Sequence, residues 1–192
     1  RIQEGKQLFS IPIKIDNPQL WWPNGLGKQH LYNIKVNLKR KEMVSTVSQN
    51  FGIRNIKLIA DSAIGQPNFY FMVNGIPTFA KGVNYIPQDI FLPRVERSDY
   101  ERILNAAADA NMNMIRVWGG GVYEDEYFYT LCDSLGLLVW QDFMFACAMY
   151  PGDDGFLENV KQEATDNIKR LSKHPSIALW CGNNEVLAAW KR

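Results

Sequence analysis

"NMIRVWGGGVYEDEYFYTLCDSLGLLVWQDF", residues 113–143, decides how this chain is built. "NMIRVW" is a short, largely apolar run that reads as a strand. "EDEYFYTLCDSLG" has helical spacing: Tyr127, Phe128, Leu131 and Leu135 turn inward, and Gly136 is placed as a C-terminal cap. "LLVWQDF" is apolar from its first residue, as a strand buried on both faces must be. A strand, a helix and a strand in so short a span call for a right-handed crossover and parallel pairing.

The same rhythm extends both ways. Upstream, "SDYERILNAAADANM" reads as a helix opened by a Ser98–Glu101 capping box, with Tyr100, Ile103, Leu104 and Ala107 as its apolar stripe. Downstream, "GFLENVKQEATDNIKRLSKH" repeats the helical pattern through Phe156, Val160, Ala164, Ile168 and Leu171, and His174-Pro175 ends it. "SIALWC" is the next strand. Residues 78–192 therefore run β-α-β-α-β-α-β. A doubly wound sheet and a (β/α)8 barrel both fit. The barrel is favoured by where polar residues fall: Asn84, Arg116, Asp142 and Asn184-Glu185 each stand at or just past the C-terminal end of a strand, where barrels place their chemistry. A barrel takes roughly 250 residues, so four βα strands amount to its first half.

Before residue 60 the texture differs. "LFSIPIKI" alternates from Leu8 to Ile15, "LYNIKVNLKR" sets Leu31, Ile34, Val36 and Leu38 largely on one side, and "MVSTVSQNFGIRNIKLI" is rich in β-branched residues. "DNPQLWWPNGLG" carries turn signals, and Trp21-Trp22 within it read as packing between domains in preference to a binding platform. Asn74-Gly75 joins two strands as a hairpin. The expectation is multi-domain, β plus α/β: a partial β-sandwich over residues 1–62, with one wet face, followed by the first half of a TIM barrel over 63–192.

The net charge of +1 excludes the basic footprint of a nucleic-acid binder. No apolar run approaches the ~18 residues of a membrane span. Three cysteines and two distant histidines have no metal spacing and make no disulfide framework, so no metal site is expected. The opening "RIQEGKQLFSIPIKI" has neither Met nor a cap and reads as a piece of a longer protein.

Five positions invite chemistry. Glu185, after an apolar strand, reads either as a carboxylate at a helix N-terminus or as a proton donor. Asn184 beside it favours the second reading, because an amide can hold a hydroxyl while the acid works on the adjacent bond. Trp180 and Trp190 nearby are expected to raise its pKa by desolvation. Arg116 inside an apolar strand must be paired, and a carboxylate inside the barrel is the natural partner. Asp142 fits three roles: capping the next segment, binding sugar hydroxyls, or holding Arg116 or Asn84. Trp118 before Gly119-Gly120-Gly121 is either a core tryptophan or a stacking wall, with glycines that let something approach closely. Asp89 reads as a turn residue or a loop contact.

"LWWPNGLGKQHLY", "FAKGVNYIPQDIFLPR", "RVWGGGVYEDEYFYTLCDSLGLLVWQDFMFACAMYP" and "HPSIALWCGNNE" together resemble the β-mannosidases of glycoside hydrolase family 2. The resemblance covers residue 18 to the end. It implies an immunoglobulin-like sandwich before a TIM barrel, and a parent that hydrolyses terminal, non-reducing β-D-mannosyl residues with retention. Glu185 matches the family's general acid/base, and Asn184 the neighbour that binds the sugar 2-hydroxyl. Arg116 would lie near the nucleophile carboxylate, which in the family is a second Glu on the seventh strand, beyond this chain. Asn84, Trp118, Asp142 and Trp190 complete the expected substrate-binding set. The implied partner is a mannose-containing oligosaccharide or glycoside, with no nucleic acid, membrane or cofactor. Residues 1–192 alone, with barrel edges unpaired, are expected to be inactive and to self-associate.

Overall fold

The computed structural model describes residues 8–61 and 68–191. The chain opens with an irregular stretch and then a two-stranded antiparallel ribbon, β1 (Tyr32–Arg40) and β2 (Met43–Phe51). A three-stranded antiparallel sheet follows: β3 (Ile56–Asp61), β4 (Asn68–Val73) and β5 (Ile76–Thr78). The β4–β5 turn is the Asn74-Gly75 hairpin. Both residues have positive φ, +49° and +83°, the conformation that this dipeptide favours.

The remaining strands form one parallel sheet: β6 (Gly82–Tyr85), β7 (Met114–Val117), β8 (Leu138–Asp142) and β9 (Ile177–Cys181), in that spatial order. Helices α1 (Arg97–Asp109), α2 (Glu126–Leu135) and α3 (Asp154–Leu171) make the crossovers, and the short α4 (Val186–Lys191) follows β9. Neighbours in sequence are neighbours in space, so the described strand order has no reversal. Ile115, Val117, Val139 and Ile177 pack on Leu104, Ala107, Phe128, Tyr129, Cys132 and Leu171 from the helices. Met114 and Leu138, on the opposite face, pack instead on Trp21, Phe71 and Val73. A doubly wound sheet has an order reversal and helices on both faces; the described sheet has neither. Each fully buried Leu or Phe here contributes about 1.5–3 kcal/mol. Trp21 also joins the two parts, its indole N–H donating to the Asp133 carbonyl at 2.7 Å, which supplies the partner a buried tryptophan needs.

Several sequence expectations need correction. Residues 8–15 form no strand, and Leu8, Phe9, Ile11 and Ile13 are exposed. Alternation alone does not hold a strand without a paired edge, and Pro12 lacks the N–H that a ladder uses. The capping box of α1 is Glu96 with Asp99, not Ser98 with Glu101. A carboxylate pair two residues earlier fills the same geometry, and Ser98 falls inside the first turn. In α2 the most buried residues are Phe128, Tyr129, Cys132 and Asp133, while Tyr127, Leu131 and Leu135 flank them. The face is turned because Asp133 is drawn inward by polar partners. Only Leu171 of α3 is fully buried, and Ile168 is exposed, so α3 reaches the core with its last turn. The apolar side chains Val36, Leu38, Val44 and Val47 of the β1–β2 ribbon also remain exposed. The expected boundary at residues 62 and 63 lies outside the described residues; β3 and β4 pair on either side of it.

Candidate active site

Parallel pairing brings the chemistry-bearing strand ends together. Arg116, the third residue of β7, points to the face away from the helices, and Asp142 ends β8 on the same face. They form a bidentate pair: Arg116 Nε donates to Asp142 Oδ1 at 3.2 Å and Nη2 donates to Oδ2 at 2.7 Å. Asp142 is 0% exposed. It also accepts from the Trp140 indole at 3.0 Å and from the Gly119 backbone N–H at 3.1 Å. Four donors satisfy a buried carboxylate, which is the condition under which such a pair persists. Of the three roles open to Asp142, the geometry supports holding Arg116. The guanidinium carbon also lies 5.5 Å from the Trp140 ring centroid, a cation–π distance.

Arg116 carries this order onward. Its Nη2 donates to Asn184 Oδ1 at 2.9 Å. That bond sets the amide's orientation, leaving Nδ2 directed at Cys147 Sγ, 3.4 Å away. The Asn184 backbone is tied to the loop after β8: its N–H donates to the Phe145 carbonyl at 2.8 Å, and its carbonyl accepts from Cys147 N–H at 2.9 Å. Glu185 follows in a left-handed conformation, φ +56°. Its carbonyl accepts from Ala188 and Ala189 at the start of α4, whose first N–H is satisfied by Asn183 Oδ1. The helix-terminus reading of Glu185 is therefore true of its backbone, while the side chain is exposed. The expected enclosure by tryptophans is absent among the described residues. Trp190 is 64% exposed, and Trp180 stacks on Phe143 at 5.4 Å.

Asn84 on β6 faces Arg116 in the strand register and is exposed. With Arg116, Met114, Trp140, Phe69 and Phe71 it lines a cavity of ≈540 Å³ on the helix-free face. Trp118 is half-buried. A Cβ at Gly120 would lie 2.0 Å from its ring, and one at Gly119 would lie 2.7 Å from the Phe143 carbonyl oxygen. What the glycines let approach is the protein's own tryptophan and loop. Asp89 is the turn residue expected, accepting from Phe91 N–H at 2.7 Å.

Three features were missed. Trp140 stands two residues before Asp142, so strand alternation alone puts both on one face; that signal was available. Cys147 carried none. The third is a polar latch behind the sheet. Buried His174 bridges Asp133, with Nδ1 at 2.6 Å from Oδ2, and Glu126, with Nε2 at 3.0 Å from Oε1. Asp133 also accepts the Ser176 N–H at 3.1 Å. Burial opposes the charge on Glu126, but Lys173 and His174 outweigh it and hold its carboxyl below the usual range. Nearby, Glu124 is buried and accepts from the Tyr100 hydroxyl at 2.8 Å; burial pushes its carboxyl up. Among the described residues no cluster of His, Cys, Asp and Glu could hold a metal ion, and no helix is long and apolar enough to cross a membrane.

The family model for glycosyl hydrolases family 2 matches residues 1–54. Beta-mannosidase B of Thermothelomyces thermophilus is 47% identical over 179 residues, covering 92% of this chain and 21% of the relative. The chain belongs to glycosyl hydrolase family 2. The beta-mannosidase of Bos taurus is 44% identical over 194 residues, covering 98% of this chain and 22% of the relative. The crystal structure of a beta-D-mannosidase from Dictyoglomus thermophilum superimposes with a TM-score of 0.84 at 49% identity, covering 91% of this chain and 22% of that one. This family 2 chain thus spans about a fifth of the length of the relatives it matches.

Proposed function

We propose that the chain is part of a retaining exo-β-glycosidase that removes terminal, non-reducing β-D-mannosyl residues, and that Glu185 is its general acid/base. The observation that carries this is the line Asp142–Arg116–Asn184, which ends on the residue beside Glu185. A buried carboxylate fixes an arginine, the arginine fixes an amide, and the amide keeps one N–H for a sugar hydroxyl. A preorganised donor of this kind is useful when it bonds the transition state more strongly than the substrate. Glu185, exposed and next to it, would protonate the glycosidic oxygen and then deprotonate the incoming water. The likeness to beta-mannosidases supports the choice of sugar.

In this reading β6 to β9 are the first four strands of a TIM barrel, and the sandwich part ends near residue 62. The sequential strand order and the helices gathered on one face support it. The nucleophile is a carboxylate elsewhere in the parent, roughly 5 Å from Glu185 across the sugar. Asn84 and Trp118 line the sugar site, and Trp190 flanks it. The full-length protein should hydrolyse aryl β-mannosides at least ten times better, in kcat/KM, than the matching β-galactoside, β-glucuronide or β-glucosaminide. A higher kcat/KM on any of those three would overturn the choice of mannose.

A further inference from the structure

We infer that Cys147 is a positioning residue for the Asn184–Glu185 pair, a role that rests on the reading of Glu185 as acid/base. The thiol makes two contacts on adjacent residues. Its sulfur accepts from Asn184 Nδ2 at 3.4 Å, and it lies 3.7 Å from Glu185 Oε2, toward which its S–H can donate. The Cys147 N–H also donates to the Asn184 carbonyl at 2.9 Å. One residue therefore holds the backbone and amide of Asn184 and touches the carboxylate of Glu185.

The surrounding loop is built to hold this arrangement. Cys147 sits at φ +52°, an uncommon conformation for a residue with a side chain. The residue before it is clamped by Tyr150, whose hydroxyl accepts from Ala146 N–H at 2.8 Å and donates to the Ala146 carbonyl at 3.2 Å. Tyr150 packs edge-on against Phe145 at 4.8 Å. Ala146 and Asn184 form a parallel bridge that continues the β8–β9 pairing beyond both strands. Glu185 has the same left-handed backbone, and the thiol reaches the pair from this loop.

A thiol is suited to this position. It is a weak donor and a weak acceptor, so it can steer a carboxyl group without fixing its charge, and an acid/base must change charge within one turnover. A stronger donor would hold the carboxylate ionised and weaken it as an acid. Cys147 is exposed, while Cys132 is buried and Cys181 is half-buried.

The test uses the full-length protein, with Cys147→Ala, Cys147→Ser and Glu185→Ala assayed on 4-nitrophenyl and 2,4-dinitrophenyl β-mannoside across pH. Cys147→Ala should lose about tenfold in kcat/KM on the poorer leaving group and less than threefold on the better one. The limb of its pH profile that reports the acid should move, at unchanged melting temperature. Cys147→Ser should recover part of the loss. Equal losses on both substrates, or an unmoved pH profile, would overturn the inference while Glu185→Ala still discriminates between the leaving groups. If Glu185→Ala does not discriminate, it is the acid/base reading that has failed. Iodoacetamide gives an arm independent of the variants: alkylation mapped to Cys147 should inactivate wild type, and alkylation there without loss of activity would contradict the role.

Discussion

The two faces of the parallel sheet obey different rules. On one, Ile115, Val117, Val139 and Ile177 are buried under α1, α2 and α3. These four side chains make apolar contacts, and the polar groups buried on the same side, Gln141 with Tyr129 and Asp133 with His174, are hydrogen-bonded. On the other, Arg116, Trp140 and Asp142 alternate with those same strand residues and form a hydrogen-bonded line beside a cavity of ≈540 Å³. Strand alternation places stability and chemistry on consecutive residues, so a one-residue slip in register would exchange them.

That contrast can be broken by mutation. The largest effect is expected on the covered face. Phe128 is fully buried against Tyr85, Tyr100 and Tyr129. Phe128→Ala in the full-length protein should cost about 3–5 kcal/mol of stability, read from denaturant unfolding, with kcat/KM at low temperature within threefold of wild type. Arg116→Lys should do the reverse. It keeps the charge facing Asp142 but loses the planar fork that reaches both Asp142 and Asn184. A misplaced site residue typically costs ~100-fold in rate, so kcat/KM should fall by about that factor, with the melting temperature within a few degrees of wild type. Should Phe128→Ala abolish catalysis at low temperature, or Arg116→Lys unfold the protein, the two faces are not separable.

A smaller effect concerns pH on the covered side. Burial raises the carboxyl of Glu124. The folded state therefore holds that proton more tightly than the unfolded chain. Stability from this group is complete below the usual carboxyl range and declines as pH rises through the raised folded value. Glu124→Gln keeps an acceptor for the Tyr100 hydroxyl and removes the charge. The variant should thus gain on wild type as pH rises from 4 to 8. Parallel stability curves over that range would show that Glu124 is not the source.

The covered face was legible in the sequence because burial writes itself as period. Leu104 and Ala107, the β7 and β8 runs and the Gly136 cap all follow from spacing. The Asn74-Gly75 turn was legible because two positive φ values leave little choice of residue. What period could not supply was rotation and partnership. Asp133 is buried in α2 because His174 and Ser176, some forty residues on, satisfy it, and no local pattern announces such a partner. Alternation at residues 8–15 misled because a strand needs a neighbour as well as a pattern. At the site, Arg116's need for a carboxylate was legible from the cost of an unpaired charge. The exposure of Glu185 and the thiol beside it were not, since both depend on how two loops meet.

The central claim is that the line from Asp142 through Arg116 to Asn184 serves a proton donor at Glu185. Its most direct test is the dependence of kcat/KM on leaving-group pKa, measured over a series of aryl β-mannosides for the full-length wild type and Glu185→Ala. Good leaving groups need little protonation. The account predicts a much steeper dependence for Glu185→Ala, with near-wild-type rates on dinitrophenyl mannoside and losses of about 10²–10⁴-fold on poor leaving groups. Parallel lines for the two proteins, whatever their offset, would contradict it.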